Sequence, residues 1–327
     1  MKLTVDIQTV SYPTRTPFRI SRSTVTAVEV VQLSLTELGT AYSGRGECRP
    51  YARYNQTPQS VAEALESVQT FLEMGDIDSA LSQLSDCGAA RNAVESAWID
   101  LRAKQNGQSA AQLLQVSSPS PRQTAFTLSW GSVAQMEAAA KNARDYPWLK
   151  IKIGEDGLDQ VFAVAKARPD AQLIIDANEA LSEGSLPEFL SALSDLNIAL
   201  IEQPLPAGHS SDLPDTNLII CADEGLHSQE DLGRLWVQGY RAVNVKLDKC
   251  GGPVAARDLI LEAKSMGFTI MAGCMVGSSL AMAPMMMLES LCDIIDLDGA
   301  LLLAEDIEAG LIYDDAIVNP PEKALWG

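Results

Sequence analysis

From Phe126 onward, eight short apolar runs return at intervals of roughly two dozen residues. They are Phe126-Thr127-Leu128, Leu149 to Ile153, Leu173-Ile174-Ile175, Ala199-Leu200-Ile201, Leu218-Ile219-Ile220, Val243-Asn244-Val245, Thr269-Ile270-Met271 and Ile294-Ile295. Most are separated by segments with helical spacing, such as Val161, Val164, Ala165 and Arg168. Strand and helix alternating in this way predict an α/β barrel. An open doubly wound sheet is the competing architecture, but no Gly-rich dinucleotide fingerprint follows an early strand. Polar residues instead gather at the C-terminal ends of many runs, which in a barrel is the catalytic face.

The preceding segment reads differently. Up to about Cys48 apolar and polar residues alternate, as in Val28-Glu29-Val30-Val31-Gln32-Leu33-Ser34-Leu35, and predict a short antiparallel sheet. From about Ser60 to Asn106 the spacing turns helical, with Val61, Leu65, Val68 and Leu72, then Val94, Ala97 and Leu101. Strands followed by helices suggest a separate α+β domain. Ser117-Ser118-Pro119-Ser120-Pro121 is the clearest linker. Two stretches rich in rings and guanidiniums, Pro17 to Ser23 and Arg49 to Gln56, lack a clear period and read as solvated connections or as lids over a pocket.

Charge narrows the partners. A net charge of -19 argues against nucleic acid and against an anionic membrane surface, and no apolar run is long enough to span a bilayer. The N-terminus does not read as a signal peptide. The six cysteines are scattered without a Cys-x-x-Cys pair, which fits a reducing cytoplasm better than a zinc site or a disulfide framework. Only His209 and His227 are present, so acid-base chemistry is expected to rest on carboxylates or lysines; His227 reads as a helix-start or surface residue, or as one that lines a site.

Lys150 and Lys152 sit two residues apart in the second run, so in a strand they share one face. Alone, that also fits an edge strand with a solvated face. Asp176, Glu202 and Asp223 then close the third, fourth and fifth runs, and Lys246 ends the sixth. Three carboxylates at one barrel mouth repel one another unless a cation neutralises them, and oxygen-only ligation suits Mg²⁺ best, with Mn²⁺ or Ca²⁺ as alternatives. Lysines on the second and sixth of eight strands would flank that cation and, beside it, lose their protons more readily. Two such bases could take a proton from one face of a carbon beside a carboxylate and return one to the other. A single charge contact contributes about 4 kcal/mol at 4 Å and an effective dielectric of 20. Enzymes lower barriers by roughly 8 to 23 kcal/mol, so the metal would carry much of the anion stabilisation.

The motifs Leu149-Lys150-Ile151-Lys152, Asp176-Ala177-Asn178, Glu202-Gln203-Pro204, Ala222-Asp223-Glu224 and Asn244 to Gly252 resemble those of the enolase superfamily, muconate-lactonising-enzyme-like subgroup. The resemblance implies a TIM-like (β/α)7β barrel over 120–309 with an N-terminal α+β capping domain over 1–115, rejoined by the tail 310–327. It implies metal ligation by Asp176, Glu202 and Asp223, acid-base roles for Lys152 and Lys246, and anion stabilisation by Lys150. Asp296 and Asp298 share a face at the end of the eighth run and ask for a cation, such as a substrate ammonium, unless they are merely solvated acids. An Asp-x-Asp here is similar to the signature of dipeptide epimerases, in which it binds the α-ammonium. The implied reaction is 1,1-proton transfer at the C-terminal residue of a dipeptide, with L-Ala-D/L-Glu of murein peptide recycling as the nearest precedent. Arg22 is the first candidate for the glutamate carboxylate, with Arg19 and Arg53 behind it. The rival expectations are a cycloisomerase or o-succinylbenzoate synthase of the same superfamily, and a metal-dependent binding protein without catalysis. A homo-oligomer is compatible with all of them.

Overall fold

The computed structural model describes residues 1–20 and 23–327. Three antiparallel strands open the chain: β1 (Leu3–Ile20), β2 (Ser23–Glu37) and β3 (Ser43–Cys48). β1 and β2 pair from Leu3↔Glu37 to Pro13↔Ala27 and again from Phe18↔Val25, with an irregularity between Pro13 and Phe18. Pro17 to Ile20 is therefore strand rather than loop, its backbone held by this second stretch of ladder. Four helices follow, α1 (Pro58–Ser67), α2 (Gln69–Met74), α3 (Ile77–Gln83) and α4 (Gly88–Asn106). Thr57 and Ser60 cap α1 reciprocally, with Pro58 in its first turn. Gly44 and Gly46 let α4 lie directly on β3, since a Cβ at either would meet Ala97 O at 2.1 Å or Ala93 O at 2.2 Å. Leu33, Leu35, Val61, Leu65, Leu72 and Leu101 are buried together in a core between sheet and helices.

After α5 (Ala110–Leu113), residues 114–121 carry no regular element, and β4 (Arg122–Gln123) starts the second half. The eight parallel strands are β5 (Phe126–Leu128), β6 (Trp148–Lys152), β7 (Gln172–Asp176), β8 (Ile198–Glu202), β9 (Ile220–Ala222), β10 (Ala242–Val245), β11 (Thr269–Gly273) and β12 (Ile294–Asp296). They lie side by side in chain order. Ala125 N donates to Ile295 O at 2.8 Å and Leu297 N to Thr124 Oγ1 at 2.9 Å, bringing the first and last strands together into a nearly closed barrel. The fifth strand begins two residues later than the run at Leu218 suggests. β8 sets its register through Ile201↔Ile220 and Glu202↔Cys221, which leaves Ile219 at the surface. Between the strands lie α6 (Val133–Asn142), α7 (Leu158–Ala167), α8 (Leu186–Leu193), α9 (Gln229–Val237), α10 (Leu247–Cys250), α11 (Pro253–Ser265) and α12 (Ser279–Met286).

Alternation along the strands sorts the residues into two cores. Leu149, Ile151, Leu173, Ile175, Val243 and Val245 face outward to the helices. Ala125, Ile174, Leu200, Cys221, Met271 and Ile294 plug the barrel interior below the polar mouth. This double burial fixes where the lysines point. A one-residue slip of β6 would turn Leu149 and Ile151 inward and both lysines out, forfeiting roughly 1.5–3 kcal/mol for each apolar side chain.

A small sheet of β13 (Tyr313–Asp314), β14 (Ile317–Val318) and β4 closes the barrel floor. The tail then crosses to the N-terminal elements, where Trp326 Nε1 donates to Arg45 O and Ser96 O and Gly327 N to Asp100 Oδ1. All six cysteines are free thiols. Among the described residues no helix is long and apolar enough to cross a membrane.

Candidate active site

Lys150, Lys152, Asp176, Glu202, Asp223, Lys246, Asp296 and Asp298 all meet at the C-terminal mouth of the barrel, and all are buried. β6 carries two lysines inward. β7, β8 and the residue after β9 carry one acid each, and the residue after β10 carries Lys246. Lys152 and Lys246 thus stand on strands four places apart in a ring of eight, on opposite sides of the mouth.

The charges are closely paired. Lys150 Nζ lies 2.7 Å from Glu202 Oε2, 2.7 Å from Asp296 Oδ2 and 3.2 Å from Asp176 Oδ2. Lys152 donates to Asp176, and Lys246 donates to Asp223 at 2.7 Å. Burial works to raise the pKa of Asp176, but Lys152 and Lys150 outweigh it and hold the carboxyl below its ordinary value. Asp223 is likewise held well below, the pull of Lys246 and Lys249 exceeding the cost of burial. Glu202 is pushed up to about 8, by burial first and then by the charge of Asp176. Burial also disfavours the charge on Lys150 and Lys246, yet the surrounding acids keep both pKa values well above the ordinary one. The surrounding acids thus favour the charged form of both lysines, and drawing those carboxylates to another cation would ease deprotonation.

The donor set suits such a cation. Asp176, Glu202 and Asp223 supply oxygen only, as a hard divalent ion requires. Glu202 Oε2 is buried without an aligned hydrogen bond, although an ammonium stands beside it. Among the described residues no three acidic, thiol or imidazole side chains form a ready-made metal cage, because the carboxylates turn towards the lysines. An incoming divalent ion would replace ammonium contacts rather than enter a bare anionic cluster.

Several residues that position this machinery carry no separable signal in the sequence. Asn244 Nδ2 donates to Glu202 Oε1 at 2.6 Å. Gly273 opposite has room for that amide only because it lacks a Cβ, which would sit 2.1 Å from Asn244 Oδ1. Lys249 is buried and donates to Asp223 Oδ1 at 2.6 Å, to Asp223 O and to Asn244 O. Gln203 Oε1 accepts Asp223 N and Gly225 N. Gln203 and Asn178 follow the strand-end acids with φ of 35° and 42°, a left-handed turn that side chains other than glycine rarely adopt. The motifs Glu202-Gln203 and Asn244 to Lys249 held the relevant letters but not their long-range partners.

The N-terminal elements roof the mouth. Phe18, Val25, Val28, Arg49, Tyr51 and Tyr54 line the same cavity as the lysines, so part of the stretch from Arg49 to Gln56 forms its roof. Arg53 is absent from the described cavity lining; its guanidinium grips Glu179 with two bonds of 2.8 and 2.9 Å, tying this segment to the loop after β7. Arg19 is absent from the described cavity lining, its backbone instead pairing with Ser129 and Trp130. Arg22 lies outside the described residues. His227 is exposed, near the start of α9, and packs edge-on against Tyr54 at 5.0 Å. Asp298 Oδ2 accepts Thr127 N at 2.6 Å and its carboxyl is pushed up to about 7, by burial and then by Asp296. Asp296 keeps one buried oxygen, Oδ1, with no hydrogen-bond partner among the described residues.

Residues 2–115 match the family of mandelate racemase / muconate lactonizing enzyme N-terminal domains, and residues 133–322 match the enolase C-terminal domain-like family. An N-acetyl-D-glutamate racemase from Pseudoalteromonas sp. is 39% identical over 88% of this chain and 92% of its own. The L-Ala-D/L-Glu epimerase of Escherichia coli K12 is 37% identical over 95% of this chain and 97% of its own. A crystal structure of an enolase family member from Agrobacterium tumefaciens, with homology to dipeptide epimerases and with bound sodium and L-Ala-L-Glu, superposes with a TM-score of 0.95. It is 39% identical and covers 100% of both chains.

Proposed function

Because this chain belongs to the mandelate racemase / muconate lactonizing enzyme family of the enolase superfamily and is an isomerase of the racemase and epimerase kind, we propose that it inverts the α-carbon of the C-terminal residue of a dipeptide, with L-Ala-D/L-Glu as substrate. The observation that carries this reading is the placement of Lys152 and Lys246 across the mouth from each other, with Asp296 and Asp298 at a third side.

Asp176, Glu202 and Asp223 would hold Mg²⁺, to which the substrate carboxylate would bind. Bound there, the ion would supply positive charge beside the carboxylate whose negative charge grows as the α-proton leaves. Lys150, between Glu202 and Asp296, adds a second cation on the same side. Lys152 Nζ on one face of the α-carbon and Lys246 Nζ on the other exchange roles: one accepts the proton, the opposite ammonium donates one, and the configuration inverts. The unpartnered Asp296 Oδ1 is an acceptor for the α-ammonium of the first residue. Tyr51, Tyr54 and Phe18 cover the cavity and limit water near the reacting carbon. We place the protein in the cytoplasm, where free thiols persist and murein peptides are recycled.

A second reading follows from the Pseudoalteromonas relative: racemisation of an N-acylated glutamate, which needs the same lysines but offers no ammonium to Asp296. Incubation with Mg²⁺ in D₂O separates the two. Deuterium at the α-carbon of the second residue of L-Ala-L-Glu, faster than at the α-carbon of N-acetyl-glutamate, supports the dipeptide reading. The reverse order supports the acyl amino acid, and exchange with neither removes both.

A further inference from the structure

Four cationic side chains line the described part of the cavity: Lys150, Lys152, Lys246 and Arg49. The three lysines are each paired with at least one carboxylate. Arg49 differs. Its guanidinium donates through Nη1 to Val276 O at 3.1 Å, and no carboxylate among the described residues lies within ion-pair distance of it. Its remaining N–H groups have no described acceptor. Burial disfavours its charge and lowers its pKa from the usual value, against the weaker pull of Tyr51, Asp248 and Glu29. A guanidinium in such a place gains strongly from an anion that it can meet with paired N–H bonds.

Position says which anion. Arg49 follows β3 and hangs over the mouth beside Tyr51, and the Val276 bond fixes its reach above the loop after β11. The acids proposed to hold the metal for the α-carboxylate stand at the ends of β7 and β8 and just after β9, four, three and two strands round the ring from β11. Arg49 is therefore set to meet a different carboxylate from the one at which proton transfer occurs.

We infer that Arg49 is a specificity-determining residue that binds a side-chain carboxylate of the substrate. This rests on the dipeptide reading above. The carboxylate belongs to an acidic residue at either position of the peptide, and the test tells them apart.

The test compares wild type with Arg49→Leu and Arg49→Lys on two acid and amide pairs: L-Ala-L-Glu with L-Ala-L-Gln, and L-Glu-L-Ala with L-Gln-L-Ala. Initial rates of α-deuteration in D₂O give kcat and KM. Arg49→Leu is expected to lower kcat/KM roughly 10- to 150-fold for the acid of one pair, the worth of one hydrogen bond to a charged group. The loss should fall mainly on KM. The matching amide should change less than about twofold, and Arg49→Lys should keep part of the preference for the acid. The pair that responds identifies the residue bearing the carboxylate. Equal losses for acid and amide in both variants would assign Arg49 a packing role and overturn the inference, as would an unchanged preference for the acid. If wild type exchanges none of the four peptides, the dipeptide reading itself fails. Exchange by wild type without an Arg49-dependent preference defeats only the assignment of Arg49.

Discussion

Replacing Lys249 by methionine tests whether the carboxylate cluster is held by buried ion pairs that lie outside the chemistry itself. Lys249 Nζ, with its side chain 1% exposed, donates to Asp223 Oδ1 at 2.6 Å and to Asn244 O at 3.1 Å. Methionine fills similar volume but leaves a buried carboxylate oxygen and a carbonyl without their donor. Removing one partner of a buried ion pair costs about 3–5 kcal/mol. With an unfolding entropy near 2.1 cal/mol/K per residue, a 327-residue chain has roughly 0.7 kcal/mol/K, so Tm should fall by roughly 4–7 °C. The assay is calorimetry in chelator at pH 7.5, wild type against Lys249→Met, then each with Asp223→Asn added. The second change removes most of the stranded charge, so the two effects should be non-additive by about 0.5–3 kcal/mol. A shift under 1 °C, or strict additivity, would show that Asp223 is held by Lys246 alone and that the network is wrongly drawn.

Gly273→Ala should place a methyl on Asn244 and lever its amide off Glu202, costing about 1–3 kcal/mol by overpacking; urea midpoints check this, and adding Asn244→Ala should relieve the overlap and recover part of the loss. Glu95, buried on α4 with its Oε2 accepting Val254 N at 2.6 Å, is pushed up to about 7 chiefly by burial. Between its ordinary value of 4.5 and that value the native state holds a proton that the unfolded chain releases, so stability falls as pH rises through this window. Glu95→Gln should reduce the fall between pH 4.5 and 8 by about 3 kcal/mol, read from urea midpoints; an identical fall in both proteins would refute the assignment.

The barrel was legible because two periodicities coincide. Leu149 and Ile151 alternate with Lys150 and Lys152, and the same alternation places Asp176, Glu202 and Asp296 inward at the ends of their strands. Runs buried on both faces give no sharp edge, however, and the fifth strand slid to the register that β8 imposes. Contacts between distant segments were not legible. Arg53 reads as a loop cation open to substrate, whereas its carboxylate partner, Glu179, stands 126 positions away. Lys249 looks like an ordinary charge on a short helix until α10 turns it beneath Asp223. Arg49 shares a run with Tyr51, Arg53 and Tyr54, and only the packing of this roof separates the arginine that lines the cavity from the one that grips Glu179.

Inversion of the α-carbon turns on one lysine per face. Its most direct test is α-hydrogen exchange by Lys152→Ala and by Lys246→Ala, each given L-Ala-L-Glu and L-Ala-D-Glu separately with Mg²⁺ in D₂O. Each variant should fail to interconvert the two peptides, yet each should still deuterate one of them with retention, and the two variants should choose opposite peptides. If both exchange the same peptide, or either lysine alone sustains inversion, then Lys152 and Lys246 do not work from opposite faces of the substrate.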